Sequence, residues 1–184
     1  ALDRDARIKL SIGTKHRGNA DGLFHFPSGL VFDHHRGLLL VADCNNHRVQ
    51  VFSCDDDGGC SFVSKFGEQG DQPGQLQYPF DLAIDHDHDR ILITDGGNGR
   101  VQSWSLSEQS FLSCIGHRGS GDLEFDLPQG IAIDKHHHRI IIADATNHRL
   151  VFLSIDLSFL FSIGKDRSQP GESWDPSSIA IDDD

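Results

Sequence analysis

The chain has 184 residues, 37% hydrophobic and 24% charged, which is the composition of a folded domain and not of a disordered segment. Its formal charge of 16 − 28 = −12 disfavours phosphate-driven binding to nucleic acid and to anionic membrane surfaces. No apolar run nears the roughly 18 residues of a membrane span, and a start at Ala1 with no Met anywhere reads as a piece of a longer protein.

In chain order, residues 7–13 read as the closing strand of a unit whose earlier strands lie upstream. A first complete unit, about 27–67, opens on Pro27-Ser28-Gly29-Leu30-Val31-Phe32-Asp33. Its second strand ends at Asp43, its third starts after Arg48, and its fourth runs from Phe62 to Gly67. A second unit, about 79–116, repeats this order with Pro79 to Asp85, a strand ending at Asp95, Val101 to Trp104, and Phe111 to Gly116. The third, about 128–164, has Pro128 to Asp134, a strand ending at Asp144, Leu150 to Leu153, and Phe159 to Gly164. A fourth copy begins at Pro176 and predicts one further strand at 178–182. The opening prolines are 52, 49 and 48 residues apart (79 − 27, 128 − 79, 176 − 128). Four short strands in a unit of this length describe an antiparallel β-propeller blade. The expectation is therefore an all-β chain forming one partial propeller, too short to close a ring.

Three elements recur at matching offsets. They are Pro-x-Gly-Ile-Ala-Ile-Asp, then Ala-Asp-x-x-Asn-His-Arg, then a Phe strand ending in Gly. In this combination the chain resembles the NHL-repeat family, with the tripeptide present as Asn46-His47-Arg48, Asn98-Gly99-Arg100 and Asn147-His148-Arg149. The resemblance implies a ring that commonly has six blades, of which this chain holds about half. It also implies a docking module for protein or RNA in a larger regulatory protein such as a ubiquitin ligase. Receptor ectodomains and a metal-dependent lyase occur in the same family, so the resemblance is stronger for fold than for function.

The residues themselves favour structural roles for much of the motif. An Asp ending a strand can accept backbone N–H groups in the turn, and an Arg five residues later can reach back to it. Asp43/Arg48, Asp95/Arg100 and Asp144/Arg149 are expected to do this in every blade. Gly99 stands where the other blades have His47 and His148, which predicts a left-handed or bulged turn there. Histidines crowd the first hairpins as His34-His35, His86 and His88, and His136-His137-His138. Imidazole and carboxylate suit transition metals. Tight turns splay neighbouring side chains apart, however, and these turns belong to different blades, so no metal or other cofactor is expected. Cys54 and Cys60 bracket a short acidic loop where a bridge is conceivable; the default is four free thiols in a reducing, cytoplasmic setting.

In a four-stranded meander the loops between blades share one face with the second hairpins. That face holds the expected binding residues Lys15, His16, Arg17, His47, His117, Arg118, His148 and Lys165. Its formal charge is 8 − 13 = −5, which disfavours RNA. No nucleophile elbow, phosphate loop or zinc-protease pattern is present, so no catalytic residue is expected. A protein or peptide partner is the leading expectation, with RNA second and lyase-type chemistry third. Self-association through the exposed sides of the terminal blades is also expected.

Overall fold

The computed structural model describes residues 11–55, 59–164 and 175–182. Three antiparallel sheets follow one another, each a meander in chain order. Blade 1 comprises β1 (Pro27–Asp33), β2 (Leu38–Asp43), β3 (Arg48–Cys54) and β4 (Cys60–Phe66). Blade 2 comprises β5 (Pro79–Asp85), β6 (Arg90–Asp95), β7 (Arg100–Ser105) and β8 (Phe111–Ile115). Between blades 2 and 3, the short strands β9 (His117–Arg118) and β10 (Glu124–Phe125) pair in parallel. Blade 3 comprises β11 (Pro128–Asp134), β12 (Arg139–Asp144), β13 (Arg149–Ser154) and β14 (Phe159–Gly164). The ladder is irregular at the same place in each inner strand, between Pro27 and Leu30, Pro79 and Leu82, and Pro128 and Ile131.

The alternation of side chains along the strands explains why the blades stack. In β6, Ile91 and Ile93 join Leu40, Val49, Val51 and Leu82 in a core between blades 1 and 2. Leu92, one residue out of phase, points the other way and packs with Ile131, Ile140, Ile142 and Val151 between blades 2 and 3. The period of two thus gives blade 2 two buried faces, and each of these fully buried side chains contributes about 1.5–3 kcal/mol of transfer free energy. The outer sides of the terminal blades lack this cover. Leu30 is 65% exposed on blade 1, and Phe161 is 43% exposed on blade 3.

Two expectations are corrected here. Cys54 and Cys60 lie opposite each other in the β3–β4 register and are bridged, so only Cys44 and Cys114 are free thiols. The hairpin register, which spacing alone does not reveal, brings the two Cα atoms to 4.1 Å. The strand expected at 178–182 is not formed. Ser177 to Ile179 run against β11 at Gly130, where an added Cβ would sit 2.8 Å from the Ser178 Cα. No strand spans 175–182 among the described residues. Most of the segment 7–13 lies outside the described residues, and 11–13 carry no strand.

Candidate interaction face

The second hairpin of each blade ends in the same buried hydrogen-bonded staple. Arg48 Nε donates to Asp43 Oδ2 at 2.9 Å, Arg100 to Asp95 at 2.8 Å, and Arg149 to Asp144 at 2.9 Å. The preceding Asn46, Asn98 and Asn147 donate to the same carboxylate oxygens at 2.8, 2.9 and 2.8 Å. Each carboxylate's other oxygen accepts a backbone N–H from the loop entering the blade, from His25, Gln77 and Asp126. The guanidinium forks then bind three carbonyls of that loop. For Arg100 these are Asp71, Gln72 and Gln75; for Arg48 they are Asn19, Ala20 and Leu23. Asn46, Asn98 and Asn147 also reach Gly18, Gly70 and Gly119. The motif therefore holds its own turn and also fixes the long connection some 25 to 29 residues upstream.

His47, Gly99 and His148 are left-handed, with φ of 57°, 64° and 54°. The left-handed turn aims His47 at the next blade, where its Nδ1 accepts the Tyr78 N–H at 3.1 Å. His47 and His148 are each only 8% exposed, which removes them from the surface open to a partner. Burial pulls the His47 imidazole below its ordinary pKa, partly offset by the charge of Asp95. A histidine with a depressed folded-state pKa adds stability above its unfolded value, and that stability is lost as the pH falls below it. Stability of the native chain should therefore fall more steeply from pH 7.5 to 5.5 than that of His47→Asn, whose Asn still tolerates a positive φ. Denaturant midpoints across that window check the difference.

Lys15, His16 and Arg17 are exposed in the loop before blade 1, and His117 and Arg118 are exposed on β9. Aligning the stapled glycines Gly18, Gly70 and Gly119 places His16-Arg17 and His117-Arg118 at the same loop positions. Glu68-Gln69 occupies those positions between them. The His117 imidazole lies 3.3 Å from Glu124, and Arg118 donates to the Gly97 carbonyl at 3.1 Å. Hydrogen bonds from the Gly121 and Ser120 amides are the main cause that holds Glu124 below the ordinary carboxyl range. Lys165 lies outside the described residues.

The same face opens onto a cleft of about 530 Å³ at the starts of the inner strands, lined by Ser28, Phe80, Asp81, Gln129 and Ser177 among others. Asp81 accepts the Leu82 and Ile131 amides at 2.9 and 3.1 Å, but burial outweighs them and raises its pKa. Burial and the neighbouring charge of Asp43 push the Cys44 thiol up to about 11, which keeps it in its unreactive protonated form.

The opposite face holds a constellation that sequence reasoning missed. The first hairpins of blades 1 and 2 touch: Arg36 bridges Asp33 at 3.2 Å and Asp89 at 3.1 Å, and the His35 and His86 rings stack at 4.2 Å. Belonging to different blades does not separate these turns, because neighbouring blades place equivalent turns side by side. His88 and His137 instead each bond an Asp of their own hairpin at 2.9 Å.

Three successive four-stranded meanders that share buried faces define β-propeller blades, and solved propellers overlay on them. A protein of unknown function from Desulfotomaculum acetoxidans aligns with a TM-score of 0.62 at 13% identity, over 86% of this chain and 46% of that one. Virginiamycin B lyase from Staphylococcus aureus aligns at 0.56 and 13%, over 83% and 44%. At such identities the likeness is one of fold. The NHL repeat model matches residues 24–52, which take in the first two strands and the second hairpin of blade 1. Protein brain tumor of Drosophila melanogaster is 37% identical over 78 residues, which is 42% of this chain and 7% of that protein. The human E3 ubiquitin-protein ligase NHLRC1 is 31% identical over 83 residues, 45% of this chain and 20% of the ligase. The alignments thus span a small part of these relatives. Among the described residues no helix is long and apolar enough to cross a membrane.

Proposed function

We propose that the chain is a non-catalytic interaction module that binds a protein or peptide on its stapled loop face, within a larger regulatory protein of the ubiquitin-ligase kind. The observation that carries this reading is the identical loop scaffold before each blade. Its exposed positions vary, as His16-Arg17, Glu68-Gln69 and His117-Arg118, while the staples beneath them do not. A rigid frame carrying variable loop tips is the usual construction of a recognition surface. Burial of Arg48 and Arg100, and the tying of the part-buried Arg149 to Asp144, leave fewer free cations on the face, which weakens the case for RNA. The apolar outer sides at Leu30 and Phe161 are proposed contact surfaces for further blades or a second copy. A cytoplasmic setting accompanies this reading, and there the Cys54–Cys60 bridge would be under reducing pressure.

Affinity capture from lysate, with and without nuclease, tests the proposal using the native chain and a variant carrying Lys15→Ala, Arg17→Ala, His117→Ala and Arg118→Ala. Nuclease-resistant proteins lost only in the variant are the expected result. Lys135→Ala, on the opposite face, should retain them. Partners that disappear with nuclease, or that survive all four changes, would overturn the reading.

A further inference from the structure

We propose that Asp33, His35 and His86 form a binding site for a divalent transition metal of the zinc type, clamping blade 1 to blade 2. One potential ligand atom from each residue lies within 4.8 Å of the others, and the His86 Nε2 is 3.7 Å from Asp33 Oδ1. Tetrahedral zinc with bonds of about 2.0–2.1 Å places its ligand atoms about 3.3 Å apart, so small side-chain rotations close the set. Two imidazoles and one carboxylate, with a fourth position open to solvent, match the donor preferences of zinc, copper and nickel.

Surrounding contacts already orient the ligands. Asp33 is fully buried; its Oδ1 accepts the His35 amide at 2.9 Å, while Arg36 occupies Oδ2 at 3.2 Å. The other arm of Arg36 reaches Asp89 in the blade 2 turn. Two carboxylates against one guanidinium leave the cluster with a formal negative charge that favours a cation. The stacking of His35 on His86 brings ligands from both blades to one side of Asp33.

The next blade boundary provides an internal comparison. Counting from the Asp that ends each inner strand, the positions of Asp33, His35 and His86 become Asp85, Asp87 and Lys135. A lysine ammonium there supplies positive charge where blade 2 supplies a ligand. Among the described residues, no second group of three meets the same spacing.

Zn²⁺ titration of the chelator-treated full chain by calorimetry, with Co²⁺ absorption as a reporter of coordination geometry, tests the site. Circular dichroism confirms that each variant is folded. The native chain should take up one equivalent of Zn²⁺, melt at a higher temperature with Zn²⁺ than with chelator, and give tetrahedral Co²⁺ bands. His86→Lys, which copies the next boundary, and the milder His35→Gln should each abolish the bands and weaken binding at least about tenfold. His136→Gln/His138→Gln should leave all three readouts unchanged. Equal uptake by the native chain and His86→Lys would show adventitious binding by other histidines and overturn the proposal. Absence of uptake by the native chain would overturn it equally.

Discussion

Replacing Arg100 with Ala should destabilise the chain by about 3–5 kcal/mol, because it strands a buried carboxylate and frees a loop in the same step. Asp95 is fully buried and Arg100 is 8% exposed, so neither charge has water to fall back on. Without the guanidinium, Asp95 retains only neutral donors, from Asn98, Gln102 and the Gln77 amide. The Asp71 and Gln72 carbonyls lose their Arg100 partner, and Gln75 retains the Gln102 amide. Arg100→Lys should rescue little, since one ammonium cannot reproduce a fork that meets a carboxylate and three carbonyls. Asp95→Leu/Arg100→Met should fall between the native chain and Arg100→Ala. It removes the uncompensated charge but still orphans the Gln77 N–H, at about 1–3 kcal/mol. Arg149→Ala should cost less, because Arg149 is more exposed and its Nη contacts to Ser120 and Gly121 lie at the surface. Guanidinium-chloride midpoints order the series. A loss below about 1 kcal/mol for Arg100→Ala would mean that the core alone holds the loop.

That staple also marks where sequence legibility stops. The Asp95–Arg100 contact was readable, because a hairpin fixes the separation of its two ends and the pattern recurs in every unit. The loop partners were not, since nothing local says which connection will lie over the turn. The left-handed backbone at His47, Gly99 and His148 was legible from the Gly among them, but the inward direction of the His47 ring was not. That direction depends on the Tyr78 amide of the next blade. The Cys54–Cys60 bridge depends on which residues of β3 and β4 are opposite, a matter of one residue of register. The His35–His86 contact could have been found by asking which repeat positions meet across adjacent blades. Spacing within one hairpin carries no such information. The repeat thus exposes what each blade does alone and hides what blades do to one another.

Gly99 lies tightly against the β9–β10 connection to blade 3, and Gly99→Ala should destabilise by about 2–5 kcal/mol. A Cβ there would lie 2.6 Å from the Phe125 carbonyl oxygen and 2.8 Å from the Arg118 Cα. Both are backbone atoms and cannot rotate away, so overpacking adds about 1–3 kcal/mol to a left-handed strain of about 1–2 kcal/mol. Gly22→Ala separates the two contributions: its φ is +78°, and nothing lies within 4 Å of the added carbon. That variant should show the backbone cost alone, about 1–2 kcal/mol. Gly99→His is the sharper comparison, because histidine occupies the equivalent position in blades 1 and 3 at nearly the same φ. If those turns were interchangeable, Gly99→His would be tolerated. The closeness of Arg118 and Phe125 predicts that it is at least as damaging as Gly99→Ala, and that it pushes out the β9 segment bearing His117 and Arg118. Gly99→His should therefore weaken partner capture beyond what its folded fraction explains, whereas Gly22→Ala should not. A Gly99→His chain as stable as the native protein would show that the Arg118 and Phe125 backbone can move aside to admit the side chain.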